Sequence, residues 1–297
     1  MRIILVLPLL ATALCVHLGS LGFTGTAHAL PNDPALHGLC GADCQTSGLP
    51  ELKEPELNAF EGLTRTYGLM MAPLTLSPAH TIGVNVTEVE FSFTSTQLTD
   101  DANTWVSAIN NTVAPTSVSA TRFALRKGLP YSFEIEGQLG YLINSELWSV
   151  GGTAKWSMHE SMRSFPIDLS FRGGVSRVLG SSQVDITAAS FGASLGTQFG
   201  VMRLYNLAPY VSYMPVMVFA GSATLDATPG VYDPAGDMMS GNAGNTGSTA
   251  FVFPRNEQLI HRVGAGVRFL FGVLRITPEY VWTPHQQDIN ISLGLQL

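Results

Sequence analysis

The sequence predicts an all-β fold: a closed antiparallel transmembrane β-barrel of about ten strands, preceded by a short, partly helical N-terminal extension. Three observations carry that expectation. The last eleven residues put Ile289, Ile291, Leu293, Leu295 and Leu297 on one parity, and Asp288, Asn290, Ser292, Gly294 and Gln296 on the other. Side chains alternate between the faces of a strand, so this ribbon has one apolar and one polar side. Charged residues make up only 12% of the chain, yet beyond the amino terminus no apolar run is long enough for a membrane helix. From about His80 onward, similar alternating runs recur between turn residues. The net charge of −7, with no basic stripe, argues against nucleic acid as a partner.

In chain order, residues 1–29 read as an export signal: Arg2, then the apolar stretch Ile3 to Val16, then Ala27-His28-Ala29 as a small-x-small cleavage site. Cleavage there leaves 297 − 29 = 268 residues. A lipoprotein reading would use Cys15, but Leu14 stands where that signal wants a small residue. The extension, 30–79, holds the remaining cysteines, Cys40 and Cys44. An isolated even pair in an oxidising compartment predicts a small disulfide loop; metal binding or a redox dithiol is the alternative, without a surrounding ligand cluster to favour it. Pro50 to Leu63 predicts a short amphipathic helix interrupted by Pro55, lying either in the periplasm or folded up into the barrel mouth.

The barrel, 80–297, divides into ten strands: 81–93, 118–126, 131–143, 147–158, 167–177, 184–199, 209–224, 259–270, 273–283 and 287–297. In the first, apolar parity shifts near Thr87, which predicts a bulge. In the third, Tyr131 and Tyr141 share the apolar face ten residues apart. At a tilt near 40° that spacing is roughly 25 Å along a membrane normal, enough to seat them in two aromatic girdles. A β-sandwich is the alternative, though it seldom needs strands this long. The seventh is apolar on both parities; its inner face (Tyr210, Met214, Val216, Val218) fits either contact with the extension or an apolar slot, and Pro215 predicts a break in pairing.

The polar parity sends charges inward: Arg122 and Arg126, then Glu134 and Glu136, Lys155, Asp168 and Arg172, and near the end Arg262, Arg268, Arg275, Glu279 and Asp288. Charges removed from bulk water need partners, so the lumen is expected to be laced with ion pairs. Ten strands leave little more room than their own side chains fill. Structural pairing and a narrow polar conduit both remain open. No cofactor, metal ligand set or catalytic constellation is evident. His159-Glu160-Ser161 falls in a predicted turn, and His261 lies on the lipid-facing parity near a rim without a neighbouring nucleophile.

The export signal, the alternation and the closing strand Gln287–Leu297 together resemble those of bacterial outer-membrane β-barrels, with Leu297 where members usually end in Phe or Trp. The long connections Thr94–Ser117 and Leu225–Gln258, the latter containing the Gly/Asn/Ser/Thr-rich 236–248, both fall on one side, and the other side carries only short turns. That asymmetry is the rule for such barrels. The resemblance covers about 80–297 and implies an outer-membrane location, lipid around the wall, and assembly machinery that reads the last strand. It implies a structural barrel or a narrow conduit for small solutes. The alternatives are an outer-leaflet enzyme hydrolysing lipid A or phospholipid, and a transporter of hydrophobic small molecules.

Overall fold

The computed structural model describes residues 30–39, 52–98, 108–109, 115–159, 167–201, 205–226 and 250–297. The export signal, Cys40 and Cys44, Glu160 and Ser161, and the 236–248 stretch lie outside these. Six long strands come first: β1 (Thr87–Leu98), β2 (Ser117–Leu129), β3 (Phe133–Leu142), β4 (Trp148–His159), β5 (Asp168–Leu179) and β6 (Val184–Gly196). After a three-residue β7 (Phe199–Val201), one span is built in two halves, β8 (Tyr205–Tyr213) and β9 (Val216–Ser222). A small hairpin, β10 (Leu225–Asp226) with β11 (Ala250–Phe251), leads to a second two-part span, β12 (Asn256–Ile260) and β13 (Val263–Phe271). Then come β14 (Leu274–Trp282) and β15 (Gln286–Gln296).

Neighbours in sequence pair antiparallel throughout, β6 pairs with β8 and β9, and β15 returns to β1, closing a ring of ten spans. The register gives its stagger. From Glu88, partners run through Arg126, Glu136, Thr153, Gly174, Ser190 and Val216 to Ile260. Three residues along that span, Val263 leads through Trp282 and Gln287 to Gln97. The offset is therefore (97 − 88) + (263 − 260) = 12 residues. Twelve residues over ten strands give a tilt of about 40° and a backbone-to-backbone width of roughly 20 Å.

The wall is apolar outside; inside, it is largely polar toward one end and apolar toward the other. On β15, Ile291 and Leu293 are 49% and 50% exposed, while Asn290 and Ser292 are 0% and 1%. A water-soluble core would reverse this. Aromatic rings collar both ends: Tyr141 against Trp148 at 4.7 Å on one, and Phe133, Trp156 and Phe171 at 6.1 and 6.3 Å on the other. The long connections leave from the first end, the long-loop rim; β1 begins and β15 ends at the second, the terminal rim.

Four local expectations need correction. Tyr131 lies in the β2–β3 turn and not on a strand: Pro130 has no N–H to donate, and Tyr131 and Ser132 both take left-handed backbone (φ 62° and 59°). Phe133 takes its place in the collar. The parity shift near Thr87 is not a bulge; β1 starts there, and the chain before it turns at Gly83 (φ 98°) and Asn85 (φ 67°). Pro55 does not interrupt a helix but sits in the first turn of α1 (Glu54–Met71), where a missing N–H costs nothing. That helix also runs eight residues past Leu63. Pro215 does part β8 from β9, and the facing span parts opposite, between Ile260 and Val263.

The described parts of the extension, 30–39 and 52–79, lie inside the barrel. At the long-loop rim Asn32 donates to the Asn144 and Ile143 carbonyls, Asp33 accepts from Ser145 and the Glu146 amide, and the Leu36 amide reaches Gln183. The short 3-10 helix Leu36–Leu39 sits beneath these contacts. Helix α1 then descends, its buried surface extending nearly all round its last three turns. Thr64 and Thr66 tolerate that burial by returning their hydroxyls to the Phe60 and Gly62 carbonyls. A helix about 10–12 Å across fits this lumen only against small wall residues. On β6 and β9, which it packs against, Ala188, Val218 and Ala220 share its core, and an added Cβ at Gly68 would stand 2.5 Å from Val218. Pro73 ends the helix by forcing Ala72 into extended backbone (ψ 153°).

Candidate functional site

The lumen has two chemically distinct halves. Toward the long-loop rim, α1 and the 3-10 helix form one apolar core with inward side chains of β2, β5, β6, β9 and β12, and Phe60 stacks on Phe253 at 4.5 Å. Toward the terminal rim the same parity carries charge. Arg126 lies at the centre: Nη1 is 2.9 Å from Glu88 and 2.8 Å from Glu90, Nη2 is 3.0 Å from Glu90, and Nε bonds Glu136. Arg275 also pairs with Glu88, and Lys155 lies 3.0 Å from Glu134. These groups are almost wholly removed from solvent, where such charges persist only when paired and hydrogen-bonded.

Between the halves the chain from Met70 to His80 runs on without a strand partner, and the wall supplies donors to its carbonyls. Arg122 Nη2 donates to Met70 and Ala72 at 2.9 and 3.1 Å, Ser176 to Met71 at 2.8 Å, and Arg262 to Pro73. Arg172 donates to Leu74 at 3.1 Å and to Thr75; Arg268 reaches Leu76 at 3.2 Å. Lys155 holds the Ser77 hydroxyl at 2.8 Å and the Pro78 and His80 carbonyls at 3.4 and 3.0 Å, and Ser157 bonds Ala79. Carboxylates take the amides: Glu279 accepts from Leu76 at 2.8 Å and also from the Tyr210 hydroxyl, and Glu134 accepts from Ile82 at 3.1 Å. A buried segment outside any helix or sheet must satisfy each polar group sideways, and here the wall does so almost residue by residue.

Of the twelve charged residues expected to face the lumen, Asp288 is buried on β15 and accepts from Gln286 at 3.2 Å, and the other eleven fall into three sets. Arg126, Glu134, Glu136, Lys155 and Arg275 form the paired network, while Arg122, Arg172, Arg262, Arg268 and Glu279 grip residues 70–76. Asp168 stands at the rim, 4.0 Å from His80 Nδ1. Burial, with the Arg268 and Lys155 charges, pushes the His80 imidazole down to about 3 against the pull of Glu134. Glu88 and Glu90 complete the network and were not in the expected set. Their signal was present: they share the parity opposite Val89, Phe91 and Phe93.

His261 points outward, its Nδ1 2.7 Å from the Tyr213 hydroxyl and its ring stacked on that tyrosine at 6.1 Å. Among the described residues no group of His, Cys, Asp and Glu is placed to hold a metal ion.

No protein-family model matches the sequence, and no curated protein is similar to it. Among solved structures, the attachment invasion locus protein Ail of Yersinia pestis is 8% identical with a TM-score of 0.27, over 72% of this chain and 100% of its own. The translocator domain of the autotransporter NalP from Neisseria meningitidis is 9% identical with a TM-score of 0.34, over 80% and 97%. The transport unit of the autotransporter AIDA-I from Escherichia coli is 10% identical with a TM-score of 0.31, over 82% and 98%. Likenesses this slight add nothing to the barrel seen directly.

Proposed function

We propose that this chain is an integral outer-membrane β-barrel that is closed at rest by its own residues 30–39 and 52–80, with the terminal rim toward the periplasm and the long loops outside. The observation that carries this reading is the run of wall donors on the carbonyls of Met70 to His80. A wall committed to a segment of its own chain obstructs the lumen, so solute passes only when that segment loosens. The apolar inner face of β9 is covered by α1 at Val218, which removes the reason for expecting a hydrophobic-ligand slot. The His261 ring is engaged by Tyr213, and nothing favours the lipid-hydrolase reading. The apolar outer face of β15 suits lipid contact, and that strand is the element offered to the assembly machinery.

Planar bilayers test this reading. The mature protein is expected to be electrically silent, while the combined variant Lys155→Met, Arg172→Met, Arg262→Met gives single-channel steps. A steady open conductance from the unaltered protein would overturn it.

A further inference from the structure

At the terminal rim a cavity of about 160 Å³ opens beside the occupied lumen. Two guanidinium groups line it, Arg268 and Arg275, together with His80, Asn206 and the side-chain amides of Gln198 and Gln296. Their states differ. Arg275 is paired with Glu88, which also serves Arg126. Arg268 is 3% exposed, forms no ion pair among the described residues, and makes a single hydrogen bond, to the Leu76 carbonyl at 3.2 Å. Its Nε and Nη1 are buried with no hydrogen-bond partner among the described residues. A buried guanidinium with two idle N–H groups is costly, and each of them, pointing from a different edge of the plane, can donate to an anionic oxygen of a carboxylate or phosphate.

Nearby carboxylates do not fill that role. Glu134 is taken by Lys155 and the Ile82 amide, and Glu88, Glu90 and Glu136 converge on Arg126. We infer that this cavity is a binding site for one small free oxyanion of phosphate or carboxylate type, drawn from the water at the rim and held by Arg268. The lumen segment supplies part of the lining through His80, Thr81, Ile82 and Gly83, and the same guanidinium holds its Leu76 carbonyl.

Calorimetric titration of the mature protein in detergent, at ionic strength fixed with chloride, tests this with inorganic phosphate and with succinate. Saturable uptake of one anion per chain is expected for at least one of the two. Arg268→Gln should weaken it at least tenfold, and so should Ala208→Leu, which fills the cavity from a buried wall position without altering charge. Arg177→Gln, on the outer wall in an exposed pair with Asp185, should leave it unchanged. Heat-dependent gel mobility reports whether each variant is folded; if Arg268→Gln is not, Ala208→Leu decides. No saturable uptake of either anion, or uptake equally strong in both cavity variants, overturns the assignment.

Discussion

Lys155 has two kinds of partner, and they make opposite demands on a substitution. Its ammonium neutralises Glu134 at 3.0 Å and also holds Ser77, Pro78 and His80 of the lumen segment. Lys155→Met alone strands a buried carboxylate, for which a loss of about 3–5 kcal/mol is expected. Adding Glu134→Gln removes the orphan charge, so the double variant should be more stable than the single. The comparison is read from the temperature at which each loses its compact gel mobility. Equal stability of single and double variants would mean that the pair is not buried as described. The glutamates at 88 and 90 belong to the same scale. Their inward parity is written in the alternation of β1, but the apparent phase shift before Thr87 obscured it.

At the scale of the element, α1 shows how far packing overrides propensity. Gly62, Thr64, Thr66 and Gly68 are weak helix formers, and periodicity alone stops at Leu63. The helix continues because a confined lumen rewards burial on every face. Gly68 supplies a sharp check. In an exposed helix, Gly→Ala gains about 1 kcal/mol; here the new methyl would meet Val218 at 2.5 Å, and overpacking of that kind costs about 1–3 kcal/mol. Gly68→Ala is therefore expected to be neutral or destabilising alone, and stabilising in a Val218→Ala background. Thermal unfolding of the four proteins decides, and a gain in the single variant would remove the helix from its seat against β9.

For the whole molecule, the apolar outer surface makes the solvent part of the fold. Ile291 lies midway along β15 and faces out, whereas Leu297 follows the strand's end. Arg at position 291 should cost about 2–4 kcal/mol in bilayers and at 297 about 0–1 kcal/mol. Refolding into lipid vesicles at graded urea measures both, and equal costs would place these residues away from a hydrocarbon layer. Much of this architecture could be read from residue identities. Alternation on β3, β4 and β15 assigns inside and outside, Pro215 marks the broken span, and the parity of Arg122 through Glu279 assigns charge to the interior. Those features are legible because a strand repeats every two residues, so each side chain announces its face. The destination of residues 70–80 was not legible in that way. Its principal contacts are main-chain carbonyls, which every residue carries alike, so no pattern of side chains distinguishes a strand held in a ring of arginines from one lying in water. Only the closing of the ring brings Arg122, Arg172, Arg262 and Arg268 around a single extended chain, and that proximity joins positions up to 192 residues apart.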